Sequence, residues 1–121
     1  MIGVDVVEIE RFRVALARTP TMRQRIFTPG ELAYVAPKVD PVPSLAARFA
    51  AREAVMKALG LGLGAFGFHD VWVEVLPSGA PQLVVTARAA ELAAAQNVGS
   101  WHVSLSHDGP VAVAVVLAVP S

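Results

Sequence analysis

The chain has 121 residues, 55% of them hydrophobic and 17% charged, with ten basic and ten acidic side chains and no cysteine. That is one domain, residues 1–121, with enough chain to bury a core, which excludes disorder, disulfide scaffolds, cysteine zinc sites and thiol catalysis. A net charge of zero argues against nucleic-acid binding, the longest apolar run, Val111 to Val119, is too short to span a bilayer as a helix, and Met1-Ile2-Gly3-Val4-Asp5 lacks the basic region of a secretory leader, so a cytoplasmic protein with no membrane partner is expected.

Ile2 to Val7 is rich in β-branched residues, with Gly3 and Asp5 on one face and Ile2, Val4 and Val6 on the other, which predicts a buried strand. Ile9, Phe12 and Leu16 recur at helical spacing between Glu8 and Arg18, and Thr19-Pro20 stops that helix. Met22, Ile26 and Phe27 suggest a second short helical piece. Thr28-Pro29-Gly30-Glu31 is a capping box with proline in the first turn, opening a helix to about Ala36. Pro37, Pro41 and Pro43 predict an irregular connection, after which Ser44 is expected to cap a long helix, Leu45 to Leu59, ended by Gly60. Leu61 to Gly67, with Gly62, Gly64 and Gly67, reads as a flexible loop. Val71 to Leu76 and Pro81 to Val85 flank Pro77-Ser78-Gly79-Ala80 as a hairpin. Thr86 is expected to cap an alanine-rich helix to about Gln96, and Trp101 to Ser106 and Val111 to Val119 follow as strands joined by Asp108-Gly109-Pro110. This order predicts an α+β domain in which a mainly antiparallel sheet packs with one long helix and shorter ones.

Two features point beyond a monomer. The charged fraction is 17%, against an ordinary value of about 25%. Val111 to Val119 has no polar face, so it is either a central strand covered on both sides or a subunit contact. The zero net charge also hides an asymmetry: residues 1–57 hold nine basic and six acidic side chains, a net of +3, and residues 58–121 hold one and four, a net of −3. Arg11, Arg13, Arg18, Arg23 and Arg25 fall in one stretch without an acid, a field that attracts an acidic partner.

Few residues carry chemistry. Asp5 sits inside an apolar strand, where a carboxylate needs a partner, either an arginine or a metal ion. Glu53 and Lys57 lie four apart on the long helix, on a face shared with Phe49, either as a solvated ion pair or as part of a site. The site reading gains from the sparse charge of that helix and from the glycines that follow, because a lysine beside flexible backbone amides suits phosphate. Lys57 precedes those glycines, so this is no Walker motif. Ser106-His107-Asp108 are consecutive and make no triad, no Gly-x-Ser-x-Gly occurs, and His69, His102 and His107 lack metal-ligand spacing.

Three segments, Ile2-Gly3-Val4-Asp5-Val6-Val7-Glu8-Ile9-Glu10-Arg11-Phe12, Arg48-Phe49-Ala50-Ala51-Arg52-Glu53-Ala54-Val55-Met56-Lys57-Ala58 and Val103-Ser104-Leu105-Ser106-His107, carry a family resemblance. With Phe27-Thr28-Pro29-Gly30-Glu31-Leu32 between the first two, their order and spacing over nearly the whole chain resemble the holo-acyl-carrier-protein synthases, the small bacterial 4′-phosphopantetheinyl transferases. The resemblance implies that family's α+β fold, a homotrimer with each active site between two subunits, and transfer of the 4′-phosphopantetheine arm of coenzyme A to a serine of apo acyl carrier protein. Adenosine 3′,5′-bisphosphate would be released, and Mg²⁺, or Mn²⁺ in its place, would be required.

The same resemblance implies roles for residues here. Asp5 and Glu53 would supply the metal carboxylates and Lys57 would hold the pyrophosphate, these three forming the catalytic set. Arg48 and His107 would contact the nucleotide and its 3′-phosphate, with the amides of Gly60, Gly62 and Gly64 at the same end. Water on the metal, oriented by Glu53 or Asp5, would take the serine proton. The acidic carrier would dock on Arg11, Arg18, Arg23 and Arg25, with Phe12, Met22 and Ile26 as apolar anchors. One position departs: where the family usually has lysine before the helix glutamate, this chain has Arg52, which hardly deprotonates and so suits no proton transfer. That departure supports a competing reading, a catalytically inactive oligomeric module that binds an acidic carrier.

Overall fold

A computed structural model describes residues 1–121. Strand β1 (Ile2–Glu8) leads into helices α1 (Ile9–Arg18), α2 (Met22–Ile26), α3 (Pro29–Val35) and α4 (Val42–Ala58). A single 3₁₀ turn, Phe68–Asp70, precedes the hairpin β2 (Val71–Val75) and β3 (Pro81–Val85), and α5 (Ala87–Ala95), β4 (Val98–Asp108) and β5 (Val111–Pro120) follow.

Local chemistry sets most of these boundaries. Helix α1 buries Ile9, Phe12 and Leu16, the stripe its spacing predicts. Helix α3 opens on the expected capping box, with the Thr28 N–H donating to Glu31 Oε1 at 3.0 Å and the Glu31 N–H to Thr28 Oγ1 at 3.3 Å. Helix α4 ends as expected too, because Gly60 takes φ +69° and the Leu61 N–H turns back to the Met56 carbonyl at 2.8 Å.

One helix start and one cap bond differ from the sequence expectation. Helix α4 begins at Val42 rather than after a Ser44 cap. Asp40 Oδ1 accepts the Val42 N–H at 3.2 Å, and Pro43 fits the first turn because an N–H there would have no helical acceptor. Ser44 is buried inside the helix. Helix α5 starts after Thr86 as expected, but the Thr86 hydroxyl makes no cap bond; it donates to the Asp70 carbonyl at 2.9 Å and ties the helix start to the 3₁₀ turn.

The expected antiparallel sheet is two sheets. One has the order β1-β5-β4, with Ala114 of β5 flanked by Asp5 on one side and Leu105 on the other. Strand β4 runs from Val98 to Asp108, longer than expected, because it pairs with nearly the whole of β5. Strands β2 and β3 pair only with each other. At the outer edge of β2 the Val73 N–H donates to Glu31 Oε2 at 3.2 Å, so a side chain of α3 sits where another strand would bond.

Helix α4 crosses the inner face of the three-stranded sheet. Ala50, Ala51, Ala54 and Ala58 of the helix and Ala112, Ala114 and Ala118 of β5 are all buried, and such small side chains let the two layers approach closely. Gly3 is the extreme case: a Cβ there would lie 1.9 Å from the Ala54 carbonyl oxygen. Phe12, Leu16, Ile26, Phe27 and Leu45 build a second apolar cluster that seats α1 and α2 on the first half of α4.

Strand β5 is central, as one sequence reading required, but it is covered on one side only. Its alanines face the core. Val113, Val115 and Leu117 face the other way, directly opposite Val6, Val4 and Ile2 of β1. Ile2, Val4, Val6 and Leu117 are exposed, an apolar sheet face that a soluble monomer rarely presents. No helix is long and apolar enough to cross a membrane.

Candidate active site

The contact of β1 with α4 brings together the residues that looked isolated in sequence. Because Gly3 admits the Ala54 backbone, β1 lies against the helix two residues before Asp5. Lys57 Nζ donates to Asp5 Oδ1 at 2.9 Å and to the Val4 carbonyl at 3.1 Å. The Asp5 side chain is 15% exposed and that of Lys57 55%, so the acid is set into the wall and the ammonium stands in solvent. One turn earlier on the same face of α4, Glu53 is half-buried. Burial, and then the nearby Asp5 carboxylate, push the Glu53 carboxyl above its ordinary range, with Lys57 opposing.

Asp5 and Glu53 open into a cleft of about 680 Å³, which Glu8, Arg11, Phe12 and Met22 also line. Leu63, from the loop after α4, lines it as well, so the glycine segment borders the acidic end. In that segment Gly60 and Gly64 have φ of +69° and +85°, and Gly60, Gly62 and Gly64 are exposed.

The arginines divide by partner. Arg13 is held by Glu10 and by a bidentate bridge to Asp40 at 2.8 and 2.9 Å. Arg11, Arg18, Arg23 and Arg25 make no ion pair and remain available to an acidic surface; all but the half-buried Arg23 are exposed. The apolar anchors expected beside them need correction. Phe12 is 6% exposed and Ile26 3%, so both are core residues that seat α1 and α2, although Phe12 also forms cleft wall. Only Met22 is partly open.

Two further expectations are not met within one chain. Arg48 is buried, donates to the Ser44 carbonyl at 3.2 Å and lies under the Tyr34 ring, 5.0 Å from its centre. It is on the side of α4 opposite Lys57, since nine residues of helix turn through half a circle more than two full turns, so it is no member of this cleft. His107 is exposed on β4, the far edge strand of the sheet from Asp5, with β5 between them.

Arg52, the departure from the family pattern, also points away from the cleft. Its side chain is 0% exposed and clasps Glu31, 1% exposed, at 2.5 and 3.1 Å, while Nε donates to the Phe68 carbonyl at 2.8 Å. Glu31 thereby serves α3, β2 and α4 at once. Its burial was not visible in sequence, where only its capping role showed. Glu8 was passed over too, as an exposed acid at the junction of a strand and a helix.

Sequence and fold are similar to those of known proteins. The model of the 4′-phosphopantetheinyl transferase superfamily matches residues 1–116. The chain is 52% identical over 118 residues to the holo-[acyl-carrier-protein] synthase of Streptomyces avermitilis, covering 97% of this chain and 94% of that protein. It is 44% identical over 119 residues to the Moorella thermoacetica protein of the same name, covering 98% and 93%. Among solved structures it is similar to Helicobacter pylori holo-[acyl-carrier-protein] synthase in complex with coenzyme A, at 33% identity and a TM-score of 0.84 over 100% of both chains. The Neisseria meningitidis synthase aligns at 30% identity and a TM-score of 0.86, covering 97% of this chain and 95% of that one. Likeness of this extent, in sequence and in fold, means that the chain belongs to the 4′-phosphopantetheinyl transferase superfamily and, within it, to the holo-[acyl-carrier-protein] synthases.

Proposed function

We propose that this enzyme transfers the 4′-phosphopantetheine arm of coenzyme A to a serine hydroxyl of an apo acyl carrier protein and releases adenosine 3′,5′-bisphosphate. The observation that carries this reading is that Asp5, bonded to Lys57, and Glu53 line one cleft together with Arg11 of α1. The complex of the Helicobacter pylori relative with coenzyme A supports the choice of co-substrate.

Mg²⁺ takes oxygen ligands, commonly one or two protein carboxylates completed by substrate phosphate and water. Asp5 and Glu53 fit that donor set: both line the cleft, and a divalent cation would offset the burial and the Asp5 repulsion that lift the Glu53 carboxyl. Mn²⁺ favours the same oxygens. When bound, the ion neutralises pyrophosphate charge and stabilises the charge that develops on the leaving phosphate. Lys57 offers its exposed ammonium to a pyrophosphate oxygen, and the amides of Gly60, Gly62 and Gly64 approach phosphate without side-chain obstruction. Arg11, Arg18, Arg23 and Arg25 steer and hold the acidic carrier, with Met22 as the apolar contact. His107 reaches the nucleotide of a neighbouring subunit's cleft rather than of its own. The exposed face of β1 and β5 supports a homotrimer, with each site between two subunits.

Incubation with coenzyme A, an apo carrier and Mg²⁺ is expected to raise the carrier's mass by about 340 Da, the added phosphopantetheine. Asp5→Ala and Glu53→Ala are expected to abolish that gain, and full activity in either would overturn the metal assignment. Carrier binding by the wild type without any mass change would favour the inactive module instead.

A further inference from the structure

The transfer reaction needs a group to accept the proton of the carrier serine, and the cleft holds one carboxylate that nothing else occupies. Asp5 is engaged by Lys57 at 2.9 Å. Glu53 faces Asp5 and pairs with it as a metal ligand in the proposed reaction. Glu31 is buried under Arg52, Glu10 accepts from Arg13, and His107 is across the sheet. Glu8 lines the cleft, is exposed and makes neither an ion pair nor a cap to α1. No three acidic or histidine side chains lie close enough together to share a metal ion, so Glu8 stands outside the Asp5–Glu53 pair rather than completing it.

We infer that Glu8 is the general base of the transfer, placed between the phosphate end of the cleft and its carrier end. The inference rests on the reaction proposed above. Glu8 comes three residues after Asp5 and three before Arg11 and joins the strand that carries the one to the helix that carries the other. Its backbone is fixed on both sides: it pairs with Val111 in the sheet, and the next N–H, of Ile9, donates to the Pro110 carbonyl at 2.9 Å. Glu8 lines the same cleft as Asp5, Arg11 and Met22, so a serine held by Arg11 and Met22 and directed at a phosphate near Asp5 would come within its reach. The base is then a protein carboxylate and not the water expected from sequence.

The step balances. The serine Oγ–H proton passes to a Glu8 carboxylate oxygen as Oγ forms a bond to the phosphorus that bears the pantetheine arm. The bond from that phosphorus to the bridging oxygen breaks, and the oxygen keeps the electron pair as part of the 5′-phosphate of adenosine 3′,5′-bisphosphate. Glu8 afterwards returns the proton to solvent. In the loose transition states of phosphoryl transfer a modest base suffices, because positioning of the nucleophile supplies most of its effect.

The test compares wild type, Glu8→Gln and Glu8→Ala in the mass-gain assay, with coenzyme A binding measured by calorimetry and folding checked by circular dichroism. Because Glu8 is exposed, both variants are expected to fold. Turnover should fall about a hundredfold, the lower range for loss of a general base, with coenzyme A binding and the half-saturating Mg²⁺ concentration unchanged. Added formate should raise the rate of Glu8→Ala but not that of Asp5→Ala. Wild-type turnover in Glu8→Gln would overturn the inference. So would a loss accompanied by a raised Mg²⁺ requirement, which would make Glu8 a metal ligand. An unchanged kcat with a lower KM for the carrier would also overturn it, showing only a surface charge that repels an acidic partner. A wild type that leaves the carrier unmodified would overturn the proposed reaction and this inference with it.

Discussion

Arg52 and Glu53 are neighbours in sequence with unrelated tasks, because successive helical residues point about 100° apart. Glu53 looks into the cleft, while Arg52 looks into the core, where it neutralises Glu31 and bonds the Phe68 carbonyl. Arg52→Ala would leave the Glu31 carboxylate buried without its cation, a loss of about 3–5 kcal/mol that urea unfolding should report. The double variant with Glu31→Ala should cost less than the two single losses together. Arg52→Lys should keep turnover while lowering stability, since an ammonium cannot reproduce the planar fork that grips both Glu31 oxygens. A normal stability with altered turnover in Arg52→Lys would show that position 52 takes part in the chemistry. The sequence displayed the departure from lysine but not its direction. Only the buried partner, twenty-one residues earlier in the chain, decides that.

At the scale of elements, the site depends on how closely β1 approaches α4. Alternation along Ile2–Val7 placed Gly3 and Asp5 on one face, and helical spacing placed Glu53 and Lys57 on another. That the two faces meet follows from the absence of a side chain at Gly3, where the Ala54 carbonyl fills the space of a Cβ. Gly3→Ala must push the strand off the helix, a cost of about 1–3 kcal/mol for overpacking. Asp5 moves with the strand, so kcat should fall more than the affinity for coenzyme A. Thermal unfolding and steady-state kinetics on the same preparation check both parts. A variant as stable and active as the wild type would show that β1 can shift without displacing the site. The start of α4 was misplaced because Ser44 suits a cap by residue type, whereas α5 starts after Thr86 as expected but without a cap bond from its hydroxyl. Asp40 supplies the carboxylate for α4, and the Asp70 carbonyl claims the Thr86 hydroxyl.

At the scale of the molecule, β5 turns its alanines and Val116 inward and Val113, Val115 and Leu117 outward, a favourable arrangement only if the outer face is also covered. The role proposed for His107 points the same way, because His107 and Asp5 stand on opposite edges of one sheet. Val115→Asp is expected to yield folded monomers by sedimentation, with little activity. Mixing Asp5→Ala with His107→Ala subunits should restore part of the activity that each variant lacks alone, since some sites would then draw intact residues from both chains. A fully active Val115→Asp monomer would overturn both expectations.

Composition, periodicity and local chemistry determined the class of fold and most of the element boundaries and singled out Asp5, Glu53 and Lys57, though not Glu8, because helix and strand periods and turn chemistry act over a few residues. The closeness of Asp5 to Lys57, the removal of Arg48, Arg52, Phe12 and Ile26 into the interior, and the separation of His107 from the cleft were decided by tertiary structure alone. Each depends on which layers pack and how near they come. That distance is set by small residues such as Gly3 and Ala54, which carry no signal of their own until they are opposed.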